Sequence, residues 1–366
     1  MAKKRKGRRP ADRPRPVPAR AATATPEVNE GGPDPLDEVR RTLAEPHPLD
    51  LLSLSSSLLA VIDPDRQDPF ARPDDEAPPV PGLRELVDSF LDVHLPETGA
   101  LLTVLAELVP DDVLARRIRR ELQSRDDALP DWLTGLAPLT VVRAVETGHV
   151  LGDGDNIALD VRTGTGAPLG VMVYVDHNLG TVVKDAFVVD EPVDALLDAF
   201  LEAAGGDPDI HVRELTLADA RARIDEAIQM SSMVYPPLET DSWPAARPLI
   251  ERVLRELPGG GTGYVRPEWS QDERAALTER FVASPFARSS DWQGRELLDS
   301  LLWFGCDYGP GDPLRWSPAV VEILLVDWLP RKVAADPDLL ARAPALLRSF
   351  IRFAHDERGI RTALTD

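Results

Sequence analysis

Residues 140–189 are the β-rich stretch of a sequence that otherwise shows helical spacing, and they limit the fold more than any other feature. Apolar and polar residues alternate over 157–162 and again over 171–175, which is the period of a strand with one buried face. Further apolar runs cover 140–150 and 182–189. The stretch therefore predicts four strands.

The connections between these runs are short and rich in turn residues. Residues 151–156 and 178–180 contain Asp, Asn and Gly, which tolerate the positive φ that tight turns require. Because parallel strands need a crossover of a dozen residues or more, we expect an antiparallel meander. In a meander the first and third turns lie at the same end of the sheet.

Two histidines and three aspartates fall at that end and form a candidate metal site. Imidazole and carboxylate groups bind divalent ions and also carry out acid–base chemistry. Their spacing matches no metal signature such as HExxH, and Asp is frequent in turns for backbone reasons alone, so solvated turn residues are the alternative. The five candidates are His149, Asp153, Asp155, Asp176 and His177.

Composition limits the class and the compartment of the protein. A net charge of −21 and a pI near 4.7 disfavour contact between the body of the chain and nucleic-acid phosphates. Cys306 is the only cysteine, which excludes an internal disulfide and a multi-cysteine zinc site, so we expect a reducing cytoplasm. No apolar run reaches the roughly 18 residues of a membrane helix, so no membrane contact is predicted.

Residues 1–36 predict a disordered basic tail. The first twenty residues hold nine basic side chains and one acidic side chain, and the following segment has almost nothing to bury. The tail is a candidate arm for nucleic acid or an acidic partner, with a solubilising leader as the alternative. The candidate contact residues are Lys3, Lys4, Arg5, Lys6, Arg8 and Arg9.

The remaining sequence predicts two helical parts on either side of the meander. Amphipathic spacing indicates helices within 37–135, interrupted by a Pro-rich linker at 63–82, and again within 191–366. The meander occupies 136–190, and we expect the C-terminal helical part to pack on it. The predicted fold class is α+β, mostly helical with one central four-stranded antiparallel β-meander. Whether the helical parts form one domain or two stays open.

A second candidate site lies in residues 303–316, WFGCDYGPGDPLRW, where aromatic, glycine and charged residues are dense. This composition indicates a ligand-binding loop or, alternatively, an ordered loop that its aromatic residues hold against the core. Cys306 has no histidine near it in sequence, so we do not expect a nucleophile there. The candidate ligand residues are Asp307, Tyr308, Asp312 and Arg315.

Two further motifs favour structural roles. Residues 259–263, GGGTG, follow a predicted helix and lack the Lys of a phosphate-binding loop, so they indicate a helix end and a connection. A cluster of four arginines lies on one predicted helix and is a basic patch or, more simply, a solvated helix face near its C-terminus. The cluster consists of Arg116, Arg117, Arg119 and Arg120.

Several segments together resemble a group of hypothetical proteins from GC-rich bacteria, over most of the chain beyond the tail. The resemblance implies no activity, fold or ligand, and no catalytic residue is carried over from it. The segments are VYVDHNLGTVVKDAFV, ETDSWP, GYVRPEW, LLWFGCDYGPGDPLRWSP and VDWLPRKV.

The sequence contains no nucleotide-binding loop, triad or metal signature, so it favours a soluble, cytoplasmic, non-catalytic binding or regulatory protein with a protein partner. One alternative is a metal-dependent hydrolase or metal sensor with its site at the end of the meander. Another is a nucleic-acid-associated protein that binds through its tail alone. No cofactor is predicted, and a divalent metal is the one that the metal alternative would require.

Overall fold

The computed structural model describes residues 35–45, 47–66, 80–287, 295–333 and 337–365. Within these residues the protein is α+β, with many helices and one antiparallel sheet, as the sequence predicts. The six basic tail residues and most of the predicted linker lie outside the described residues.

The sheet has five strands in the described part of the chain, so the prediction of four was wrong. The strands are β1 (Thr140–His149), β2 (Gly154–Arg162), β3 (Pro168–Asp176), β4 (Val182–Val189) and β5 (Ile210–Leu215), in the spatial order β4-β3-β2-β1-β5. The first four are the predicted meander. β5 pairs with β1 at the sheet edge, and its side chains are mostly exposed. In the sequence IHVREL only Ile210 and Val212 alternate with polar residues, a shorter apolar pattern than those by which we identified the other strands.

The helices that precede the sheet in sequence contribute residues to the main hydrophobic core. They are α1 (Pro35–Ala44), α2 (Leu49–Val61), α3 (Leu83–Leu91), α4 (Pro96–Leu108), α5 (Asp112–Leu122) and α6 (Asp131–Thr134). α5 begins where the Asp111 carboxylate accepts hydrogen bonds from the backbone N–H groups of Val113 and Leu114. α4 is buried along most of its length and packs against α1, α2 and α5.

The helices after the meander cover both faces of the sheet. They are α7 (Val193–Ala203), α8 (Leu217–Ser231) and α9 (Ser242–Leu254). On the inner face, Ile157 and Val173 join the main hydrophobic core, to which α8 and α9 contribute. On the outer face, Ala158 and Met172 pack with residues of α7. Near the centre of the sheet, both faces of β2 and β3 are therefore shielded from water, which explains the long apolar runs in these two strands.

The last hundred residues build a second hydrophobic core. Its helices are α10 (Gln271–Ala283), α11 (Arg295–Trp303), α12 (Pro318–Glu322), α13 (Leu329–Lys332), α14 (Pro337–Leu340) and α15 (Ala343–Arg358). π-helical turns follow α11 at Phe304–Tyr308 and join α12 to α13 at Ile323–Trp328. Phe281, Phe304 and Phe350 are almost fully buried in this core.

A polar seam joins the second core to the turn end of the sheet. The Ser317 hydroxyl, which also caps α12, donates a hydrogen bond to the Asp153 carboxylate in the first meander turn. The Arg315 guanidinium lies over Gly152 so closely that a side chain at this position would collide with it. In the same region Arg361 pairs with Asp209. Among the described residues, none of the helices has the length and apolar character of a membrane span.

Candidate functional site

The first and third meander turns lie side by side, as predicted for an antiparallel meander. The Nε2 atom of His177 is 3.0 Å from Oδ2 of Asp155, and the side-chain amide of Asn178 donates to Oδ1 of Asp153 at 2.7 Å. The two turns are adjacent because β1 to β4 form an antiparallel meander, in which the first and third turns lie at the same end of the sheet. This arrangement places imidazole and carboxylate groups together at the end of the sheet.

The structure nevertheless divides the five predicted metal ligands among separate contacts. Asp176 accepts from Lys184 Nζ at 3.0 Å and from two backbone N–H groups in its own turn. Asp153 accepts a hydrogen bond from Ser317 in the seam, and Nε2 of His149 lies 3.6 Å from Oδ2 of Asp207. Among the five residues, the imidazole of His177 and the carboxylate of Asp155 are in contact with each other.

Strand β5 brings other ligand groups to Asp155. Gly148 on β1 is the lateral neighbour of Asp155 on β2 and of His211 on β5, and Glu146 lies two residues away on the same face of β1. One donor atom from each of Glu146, Asp155 and His211 lies within 4.8 Å of the other two. These three residues define the sheet-corner cluster.

Two arginines neutralise the buried carboxylate of this cluster. The Glu146 side chain is 0% exposed, and its two oxygens face Arg223 of α8 and Arg213 of β5. Arg223 is 16% exposed and Arg213 is 53% exposed, so the two ion pairs lie in different environments. Because a buried carboxylate is stable only when paired, α8 and β5 are fastened to β1 at this point.

Tyr264 closes the cluster from the connection that follows α9. Its ring meets the His177 ring edge-on at 4.7 Å, and the Arg223 guanidinium lies 5.2 Å from its centre. Burial, and after it the Asp155 carboxylate, raises the pKa of Tyr264 well above its usual range. The Tyr264 hydroxyl is buried and has no hydrogen-bond partner among the described residues.

A second group of ligand type lies beyond the end of β1 and contains His149, Asp207 and Asp209. Arg361 contacts both aspartates. A hydrogen bond from the Asp209 backbone N–H lowers the pKa of Asp207. The group is half-buried and belongs to the seam with the second core, so its carboxylates already have a cationic partner.

The charged residues of the predicted ligand loop are paired within the protein. Asp307 receives a two-pronged contact from Arg274 at 2.6 and 2.7 Å, which lowers the pKa of that carboxyl. Asp312 is buried against Arg358 and also lies 3.9 Å from Arg315. Burial raises the pKa of the Cys306 thiol to about 11, so this thiol is not an activated nucleophile.

Tyr308, by contrast, belongs to an exposed aromatic surface. Trp303 and Tyr308 are 39% and 48% exposed, and both rest on Trp328, which is 6% exposed. Their ring centres are 5.1 Å apart, and each lies within 6 Å of the Trp328 ring. The two π-helical turns carry Tyr308 and Trp328, and such turns occur often at functional sites. We call Trp303 and Tyr308 the aromatic surface.

The chain matches no known protein family, no curated protein and no solved structure.

Two cavities among the described residues lie beside the main hydrophobic core and beside the start of β4. One beside Leu52 and Leu249 holds about 220 Å³ of empty space, and another beside Val183 and Pro237 holds about 200 Å³. Neither is lined by the sheet-corner cluster or by the aromatic surface.

The arginine cluster of α5 is largely used within the fold. Arg117 pairs with Asp88 at 2.7 Å, Arg119 pairs with Glu107 at 2.9 Å, and Arg116 donates to a backbone carbonyl one turn earlier. Three of the four arginines therefore have partners within the protein, which favours the reading as a helix face over that as an open basic patch.

Sequence reasoning missed Glu146 and His211 as site residues. Both depend on β5, which we had not predicted. A signal was present: Ile210 and Val212 alternate with His211 and Arg213 directly after a Gly- and Asp-rich turn. The alternation is only four residues long, and its polar half is charged, so it did not stand out from the flanking helices.

Proposed function

We propose that this chain is a non-catalytic, cytoplasmic binding protein that contacts a protein partner through the aromatic surface, Trp303 and Tyr308. The observation that carries the proposal is the exposure of both rings while their shared support, Trp328, is buried. Trp and Tyr dominate binding energy at protein interfaces because they bury large areas and lose little conformational freedom. Rings already fixed by their neighbours lose less still.

Two further features support a macromolecular rather than a small-molecule ligand. Beside the aromatic surface, the Asp307 carboxylate is paired with Arg274, and the Lys332 ammonium lies 5.9 Å from the Tyr308 ring centre. Neither of the two cavities described above is lined by Trp303 or Tyr308. An exposed aromatic surface with a polar rim has the composition of an interaction site.

Site-specific photocrosslinking in the producing cell tests the proposal. A photoreactive phenylalanine analogue in place of Tyr308 should give a discrete crosslinked product, and Trp303→Ala in the same chain should abolish it. Val265 is 80% exposed and is the matched control position for the same analogue. Mass spectrometry then identifies the partner, including a second copy of this chain.

Two results would contradict the proposal. One is a Tyr308-site product pattern identical to that from position 265. The other is a discrete product that persists in the Trp303→Ala chain, because a specific contact with the aromatic surface requires both rings.

A further inference from the structure

We infer that residues 10–18 of this chain, PADRPRPVP, bind to the aromatic surface of the same molecule and compete there with the protein partner. This contact rests on the proposed function, because it regulates access to the same two rings, Trp303 and Tyr308. Residues 10–18 lie outside the described residues, and their chemistry is given by the sequence. That chemistry complements the aromatic surface in ring packing, in charge and in reach.

Residues 10–18 have the composition of segments that bind aromatic surfaces. Four of these nine residues are proline, at positions 10, 14, 16 and 18. Proline fixes φ near −65°, so a proline-dense segment loses little conformational freedom when it docks, and its rings pack on Trp and Tyr. Arg13 and Arg15 lie between the prolines, and guanidinium groups also stack on aromatic rings. Both residue types of the segment are therefore ligands of aromatic side chains.

The aromatic surface presents two fixed rings at a matching spacing. The ring planes of Trp303 and Tyr308 are 88° apart, and their centres are separated by 5.1 Å. Prolines two residues apart, such as Pro14 and Pro16, are separated by about 6 Å in a polyproline segment, which rises about 3.1 Å per residue. Successive prolines of this pattern can therefore contact both rings. Because both rings already pack on Trp328, they need no rearrangement before the segment binds.

Charge favours a basic segment on the Trp303 side of the surface. Asp299 lies one helical turn before Trp303 on α11, is exposed, and has no ion-pair partner in the part of the chain that the structure describes. The first twenty residues hold nine basic side chains and one acidic side chain, whereas the whole chain carries −21. The Lys332 ammonium lies near Tyr308, so we expect the arginines of the segment beside Asp299 and its later prolines beside Tyr308.

A second proline-rich segment of the chain has the opposite charge. Residues 69–79, PFARPDDEAPP, also contain four prolines, but they hold three acidic residues and one arginine. The acidic body of the protein repels such a segment and attracts the basic one. Residues 69–79 are therefore the matched comparison for the effect of charge at equal proline content.

The chain between the segment and α1 is long enough for contact within one molecule. Residues 19–34 span about 55 Å when fully extended. A body of this size has a radius of gyration of about 20 Å and is therefore about 50 Å across. A flexible tether holds its end at an effective concentration on the order of a millimolar, so a contact with a dissociation constant of about 0.1 mM is about nine-tenths formed. Such a contact lowers the apparent affinity of the partner about tenfold.

Photocrosslinking in the purified, untagged full chain tests this contact without any partner. A photoreactive phenylalanine analogue in place of Tyr308 should link to residues 8–20 of the same molecule, and mass spectrometry of the digested product identifies the linked residues. The same analogue in place of the exposed Val265 is the control for position and should give no such link.

Two triple proline-to-serine variants separate docking of the basic segment from proline content. In the tail variant the yield of the internal link should fall at least tenfold, and in the producing cell the yield of the partner product should rise. In the linker variant both yields should match those of the unaltered chain. Neither set of prolines belongs to a described helix or strand, so both variants should fold normally, which circular dichroism checks. The tail variant is Pro14→Ser, Pro16→Ser and Pro18→Ser, and the linker variant is Pro73→Ser, Pro78→Ser and Pro79→Ser.

Docking within one molecule is ruled out by any of three results: no link from position 308 to residues 8–20, an undiminished link in the tail variant, or a product that joins two chains. A denaturing gel separates the last product from a link within one chain. Failure of the proposed function looks different, because the internal link then persists in the purified chain while the producing cell yields no partner product. A partner product without the internal link supports the proposed function and removes the segment as its regulator.

Discussion

Replacement of Arg223 by Met should destabilise the fold strongly, because the Glu146 carboxylate then stays buried without its water-shielded ion-pair partner. The side chain of Glu146 is 0% exposed and that of Arg223 is 16% exposed, so their ion pair is shielded from water. Removal of one partner of a buried pair costs about 3–5 kcal/mol. Arg213 remains beside Glu146 and offsets part of this, so we expect a loss near the lower limit, about 3 kcal/mol.

The matched variant is Arg213→Ala, which removes the other guanidinium from the same carboxylate. Its side chain is 53% exposed, and exposed ion pairs contribute only about 0.2–1 kcal/mol. The double variant Glu146→Gln with Arg223→Met removes both buried charges and should recover much of the lost stability, since the cost arises from the unpaired charge. The relative losses of stability that we expect for the three variants follow from how deeply each charged group is buried.

Urea unfolding followed by circular dichroism measures these differences, in a chelating buffer so that no metal ion adds to the stability. The midpoints should move while the dependence on urea stays constant, because the area exposed on unfolding is unchanged. The reasoning is refuted if Arg213→Ala costs as much as Arg223→Met, or if Arg223→Met costs less than about 1 kcal/mol.

Three further outcomes are expected. The Cys306 thiol, whose pKa burial raises to about 11, should resist alkylation at pH 8 in the folded chain and react after unfolding in urea; rapid labelling of the folded chain would refute this. Burial lowers the pKa of His355 below 6.5, so the unfolded chain binds a proton that the folded chain does not, and the free energy of unfolding should fall as the pH drops below about 6.5 and level off below the folded pKa. His355→Gln should flatten that slope, and an unchanged slope would assign it to other groups. Removal of residues 1–34, which precede α1, should abolish any salt-dependent binding to DNA or RNA, and binding that survives the deletion would rule out the tail as the nucleic-acid arm.

The capping and turn residues show how much of the fold is encoded locally. Ser270 and Glu273 cap α10 reciprocally, and Ser317 caps α12, each through a hydrogen bond that spans three residues. The first four strands follow from alternation and from short turns, which act within ten residues. Such signals can be detected in one sequence because the interactions that they reflect are close along the chain.

The arrangement of the charged residues was not predictable in the same way. Asp307 and Asp312 were identified as candidate ligands, but their arginine partners, Arg274 and Arg358, are 33 and 46 residues away. Nothing local distinguishes a carboxylate that will meet a guanidinium from one that will face water. The two aspartates of the predicted ligand loop are therefore brought to their arginine partners only by the tertiary structure of the second core.

The sequence by itself determined the fold class, the position of the meander and the end of the sheet at which its polar turns meet, because strand period and turn length are local properties. The tertiary structure decided the rest. It added β5 at the open edge of β1, placed His211 beside Gly148 and Asp155, and buried Glu146 under Arg223. The reason is physical: an edge strand and a buried ion pair are stabilised by partners distant in sequence, and no local period records which partners these will be.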